Sequence, residues 1–133
     1  MSQKDEIQTL APIIRANKNF VYKGKKFPID FSLIKKNSNY FYSKRFQYKL
    51  IHDIELEEQP IEISDDSLRN FISSCQNESF HINDSNIYQL HQLSIKYDVP
   101  YLISLTNLLM AFSPIISFVT KNLMSSLMGL RNA

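Results

Sequence analysis

Three histidines (His52, His81 and His91) and a single cysteine, Cys75, are the side chains best able to hold a metal ion or move a proton. Their spacing serves neither purpose. Zinc sites pair cysteines or histidines a few residues apart, and none of these residues has a second ligand at such a distance. His91 follows Leu90 in an apolar-periodic run, which places it where a helix meets solvent. Cys75 belongs to a run of the same kind and reads as a small buried residue. Gly24 and Gly129 stand alone, so no glycine-rich loop can cradle a phosphate. No nucleophile elbow or serine-histidine-acid arrangement is recognisable. The sequence therefore predicts no catalytic residue, no cofactor-binding residue and no metal ligand. What remains is recognition chemistry. Leu56-Glu57-Glu58, within the acidic run Ile54 to Glu58, sets an apolar anchor beside charged neighbours, a combination suited to docking another protein. The same glutamates would also guard an edge strand against aggregation.

The elements that position these residues are most legible from Pro60 to Leu109. Ile61-Glu62-Ile63 alternates as a short strand does. Leu68, Phe71, Ile72 and Cys75 then recur at the spacing of one helical face, with Ser64, Asp65 and Asp66 ahead of them as capping residues. Ile87, Leu90, Leu93 and Tyr97 repeat the pattern behind Asn83, Asp84 and Ser85. Asp98 and Pro100 punctuate the chain, and a proline fits the first turn of a third helix carrying Leu102, Leu105, Leu108, Leu109 and Phe112. The expected core draws on both halves: Phe20, Phe27, Ile34, Phe41, Leu68, Phe71, Ile72, Ile87, Leu90, Leu93, Leu102 and Leu105.

Composition sets the class. A chain of 133 residues with 44% hydrophobic and 21% charged residues suits one globular domain. Two glycines and five prolines argue against low complexity, and one cysteine excludes an internal disulfide and fits a reducing compartment. The opening, MSQKDEIQTL, has no apolar signal core. Net charge is only +2, but its distribution is uneven. Lys18 to Ile51 holds nine basic residues and one acid; His52 to Asp98 holds ten acids and two bases. Such asymmetry suits electrostatic steering of a partner, nucleic-acid binding by the basic half, or a mixed solvated surface in which the fold interleaves the two. The aromatics among the lysines, Phe20, Tyr22, Phe27, Phe31, Tyr40 and Phe41, fall on strand and helix positions that suit packing more than base stacking.

This order of elements resembles a divergent BTB/POZ domain. Asn19 to Asp30, NFVYKGKKFPID, resembles the family's opening hairpin, with Gly24 at the turn. Phe31 to Phe41, FSLIKKNSNYF, resembles the helix that follows, which in the family carries a histidine, a leucine and a serine-proline-aromatic-phenylalanine run. Asp30, Ile34, Ser38, Asn39, Tyr40 and Phe41 stand at those positions, so the aspartate and the asparagine depart from the pattern. CQNESFHI replaces the family's tyrosine-threonine-glycine segment. The resemblance implies an α+β fold, a short mixed sheet flanked by a cluster of α-helices, and a non-catalytic role in homo- or hetero-oligomerisation. It also implies docking onto a cullin-type scaffold as a ubiquitin-ligase adaptor. Many cullin-binding members carry an apolar residue, any residue, then glutamate ahead of a strand, and Leu56 and Glu58 fall in that place.

The expected organisation is an N-terminal helical extension over 1–17, the domain over 18–112 and an apolar C-terminal helix or tail over 113–133. Ile7, Leu10 and Ile14 share a helical face in the extension, and the resemblance makes it an element exchanged between partners. No residue from Tyr101 to Thr120 is charged, a length that meets the threshold for a membrane span. Asn107, Pro114 and several hydroxyl residues dilute that stretch, so packing or partner binding is favoured over insertion. The reading is an intracellular interaction module, cytoplasmic or nuclear, with protein partners and no cofactor. Its rivals are a basic nucleic-acid-binding protein and a small membrane-anchored protein using 101–130.

Overall fold

The computed structural model describes residues 16–112. Strands β1 (Lys18–Tyr22) and β2 (Lys25–Ile29) form an antiparallel hairpin in which Tyr22 pairs with Lys25. The two residues between them, Lys23 and Gly24, both have positive φ, at 50° and 80°. That is the tight turn whose twist matches the flanking strands. Glycine reaches this conformation freely, whereas lysine is strained in it. Lys23→Asn should therefore raise the melting temperature modestly, by about 0.5 kcal/mol of stability, in a thermal scan of both proteins.

The third strand, β3 (Asp53–Glu55), pairs in parallel with β1, giving the order β2-β1-β3 and a short mixed sheet. It falls in the acidic run read as an edge strand, whereas Ile61-Glu62-Ile63, expected as a strand, is not one. The free edge of β1 is filled by the first alternating run to reach it, and Leu56 extends the pairing by donating its N–H to the Val21 carbonyl at 2.9 Å. Past Leu56 the chain leaves the sheet, and beyond Pro60 Ile63 turns inward as a core residue. At the other edge Pro28 removes a donor from β2, which blunts that edge toward further strands.

Five helices lie among the described residues. Helix α1 (Phe31–Asn37) is capped by Asp30, whose side chain accepts from the Ser32 N–H. Helix α2 (Asn39–Ser43) follows after a break at Ser38. The single helix expected over Phe31 to Phe41 is thus two. Ser38 is extended; its buried hydroxyl donates to the Tyr97 carbonyl and accepts from the Phe41 N–H. Helix α3 (Asp65–Cys75) is capped by Ser64 as expected. Before α4 (Ile87–Lys96) the capping acts three residues upstream, where the Asn83 side chain accepts from the Ser85 and Asn86 N–H groups. Helices α3 and α4 end alike. Asn77 and Asp98 take positive φ, and the N–H of the following residue reaches back to Ser73 and Ser94 respectively, each at 2.9 Å. Helix α5, residues 100–112, begins at Pro100 as the sequence predicted.

The core sits between the sheet and α1 to α4. Leu68, Phe71, Ile72 and Cys75 of α3 and Ile87, Leu90 and Leu93 of α4, with Tyr97 just beyond it, are all buried, so both helical stripes face inward. An aromatic column runs through the centre. Phe41 lies between Phe20 and Tyr97 at centroid distances of 5.0 and 5.1 Å, with Phe71 against Tyr97. Every expected core residue is buried except Leu105, which is half-buried while its neighbour Thr106 faces in. Thr106 is held there because its hydroxyl donates to the Leu102 carbonyl and lies 2.8 Å from His91 Nδ1, a polar tie that rotates α5 away from the leucine stripe.

Candidate interaction surfaces

Residues suited to catalysis do not converge among the described residues. His52 and His81 are exposed and His91 is half-buried, and no group of three or more metal-ligating side chains forms. Cys75 is fully buried, and burial pushes its thiol up to about 12, so it stays protonated and unreactive. Burial likewise raises Tyr97, whose hydroxyl accepts from the Glu57 N–H. A groove of about 580 Å³ lies beside β2, lined in part by Phe27, Pro28, Leu33, Arg69, Ile72 and Gln76. Among its lining residues, Gln76 accepts from the Asp30 N–H and donates to Glu78, and Arg69 lies over the Phe27 ring.

The docking segment named from sequence divides. Leu56 is only 7% exposed and belongs to the core, whereas Glu57 and Glu58 point outward. The physical reason is strand alternation. Ile54 and Leu56 share the inner face of β3 and its extension, Glu55 and Glu57 take the outer face, and Glu58 lies beyond the paired residues. Glu57 pairs with Lys96, whose hydrogen bond and charge hold the carboxyl below its usual range. Ile7, Leu10 and Ile14 lie outside the described residues, as does the apolar C-terminal helix or tail expected over 113–133.

The charge halves are partly interleaved. Lys25 pairs with Asp65 at 2.7 Å and Lys26 with Asp53 at 2.9 Å, each joining the basic half to the acidic one. Between α2 and β3 the balance is different. Residues 31–52 contain no acid, and none of Lys35, Lys36, Lys44, Arg45 or Lys49 forms an ion pair with a described residue. Here the chain makes irregular helical turns that carry Tyr42, Phe46, Leu50 and Ile51 at 52%, 74%, 89% and 40% exposure. The turns are tethered toward their C-terminal end. Tyr48 packs edge-on against Phe31, and Lys18 donates to the Lys49 and Ile51 carbonyls at 3.2 and 2.6 Å. Arg45 donates to the Tyr42 carbonyl at 2.7 Å, and its guanidinium lies 3.9 Å from the Tyr42 ring centroid and 4.5 Å from that of Phe46. Sequence reasoning treated this segment only as part of the basic half Lys18 to Ile51 and singled out none of its apolar residues. The signal was present as an acid-free basic run carrying aromatics without a capping pattern.

No helix among the described residues is long and apolar enough to cross a membrane. No family profile matches the sequence, and no curated protein matches it. Solved structures do. The BTB (Tramtrack and Bric a brac) domain of human gigaxonin superposes with a TM-score of 0.60 at 18% identity, over 74% of this chain and 80% of that one. The BTB domain of zebrafish PATZ1 does so with a TM-score of 0.60 at 11% identity, over 84% of this chain and 94% of that one. The fold is that of a divergent BTB domain, a short mixed sheet with a cluster of helices.

Proposed function

We propose that this chain is a non-catalytic protein-interaction module that acts by association with copies of itself or with other proteins. The observation that carries this reading is the BTB-like fold, together with an exposed apolar surface that the domain's own core does not use. Scattered apolar residues are ordinary on a surface, but four within ten consecutive residues form a patch. An intracellular setting belongs to the same reading and agrees with a single buried, unpaired cysteine. A cullin-type scaffold is one proposed partner, with Glu58 as the exposed member of the docking segment and Leu56 supporting it from below. Ile7, Leu10 and Ile14 are proposed to serve self-association.

Size-exclusion chromatography with light scattering tests the central claim. At micromolar concentration the purified chain should show a mass above the 15.6 kDa of one copy, increasing with concentration. The mass of one copy across the whole range would overturn self-association. A titration with a cullin N-terminal fragment tests the adaptor role, and the absence of binding would reject it.

A further inference from the structure

The turns between α2 and β3 combine three properties rarely found together on a solvated surface. Large apolar side chains are exposed: Phe46 at 74% and Leu50 at 89%. Cationic groups beside them lack an acidic partner among the described residues. One of those cations, Arg45, is held in place by a hydrogen bond to the Tyr42 carbonyl and by the Tyr42 and Phe46 rings. A guanidinium presents five N–H donors in a planar fork that matches a carboxylate. One is spent on the backbone and the rest are left for a ligand. Holding the fork before binding removes much of the ordering cost of a long side chain.

We propose that Tyr42, Arg45, Phe46, Lys49 and Leu50 form a docking site for an acidic peptide segment of a partner protein, one whose carboxylates alternate with leucine or aromatic anchors. Charge complementarity selects the occupant, because the whole run from Phe31 to His52 is free of acids. The carboxylates meet Arg45 and Lys49, and the anchors cover Phe46 and Leu50. A nucleic acid would use the cations but would leave the aliphatic Leu50 and Ile51 uncovered. The proposal rests on the interaction-module reading and names the partner chemistry of one of its surfaces.

The test is a selection of displayed random 12-residue peptides on the immobilised full chain at low salt, followed by fluorescence anisotropy with the enriched peptides. Enriched sequences should be rich in aspartate and glutamate with leucine or aromatic residues between them, and their affinity should fall as salt rises. Arg45→Glu should weaken them about thirtyfold or more, and Phe46→Ala about tenfold. Leu50→Ser, at the most exposed position, provides a variant whose fold is not at risk and should also weaken binding. Enrichment of neutral or basic peptides, no enrichment, or equal binding by wild type and Arg45→Glu would each overturn the proposal. So would tight, Arg45-dependent binding of a 15-nucleotide single-stranded probe with no binding of acidic peptides. Light scattering of Arg45→Glu separates the two claims. Self-association unchanged in the variant leaves the module reading standing while the peptide result decides the site.

Discussion

Replacing Phe41 with alanine should destabilise the domain by about 3–5 kcal/mol and lower its melting temperature by roughly 15 °C or more. Phe41 is completely buried. Its ring stacks on Phe20 at 5.0 Å and on Tyr97 at 5.1 Å, and meets the edge of Tyr40 at 5.0 Å. Phe31 and Tyr48 complete the surround at 6.2 and 6.1 Å. Such pairs contribute about 0.5–1.5 kcal/mol each beyond the area they bury, so truncation removes several at once and leaves a cavity. The loss would also reach the surface, since Tyr48 helps hold the turns that carry Phe46 and Leu50. Chemical denaturation of wild type, Phe41→Ala and Phe41→Leu is the measurement. Phe41→Leu should retain more of the stability because it keeps more of the volume. A midpoint unchanged in Phe41→Ala would remove the aromatic column from the core.

Periodicity made the helices readable, because the apolar stripes of α3 and α4 obey the 3.6-residue repeat, and Ser64 and Pro100 mark the starts of α3 and α5. The hairpin was legible from the resemblance of Asn19 to Asp30 to the family's opening hairpin, with Gly24 at the turn, and β1 and β2 pair there. What was not legible depended on contacts distant in sequence. The break at Ser38 is completed by the Tyr97 carbonyl and by the Asn39 N–H donating to the Asp98 carbonyl, two bonds that each span 59 residues. Nothing local to Phe31–Phe41 announces it. The edge strand read at Ile54 to Glu58 is there as β3, but Ile61-Glu62-Ile63 alternates equally well and was read as a strand too; only the register with β1 chooses between them. Leu105 and Thr106 exchanged places because a hydroxyl tied to His91 outweighs a leucine stripe at the end of the domain. The Tyr42–Ile51 surface escaped notice for a related reason. The aromatics among the lysines that were read as packing residues, Phe20, Tyr22, Phe27, Phe31, Tyr40 and Phe41, do pack on the core, but Tyr42 and Phe46 were not weighed with them and are exposed.

Leu56→Ala should cost about 2–5 kcal/mol, whereas Glu58→Ala, two residues on, should stay within about 0.5 kcal/mol of wild type. From sequence, both residues belonged to one surface docking motif, and removing both side chains together should have left the fold intact. The structure separates them. Leu56 packs with Ile54 and Tyr22 in the core cluster, and its N–H closes the last hydrogen bond of the β1–β3 pairing. Truncating it opens a cavity beside Tyr97, whose hydroxyl receives the N–H of the adjacent Glu57. Glu58 is exposed and forms no ion pair with a described residue. The two substitutions should therefore be made singly, with denaturation midpoints read beside titration of a cullin N-terminal fragment. If the fragment binds, Glu58→Ala should weaken it at unchanged stability, and Leu56→Ala should weaken it only as far as the fold loosens. A Leu56→Ala protein as stable as wild type yet unable to bind would return Leu56 to the surface and overturn its place in the core. Equal binding by Glu58→Ala and wild type would remove the acidic segment from the docking surface and leave the basic, aromatic turns as the remaining candidate.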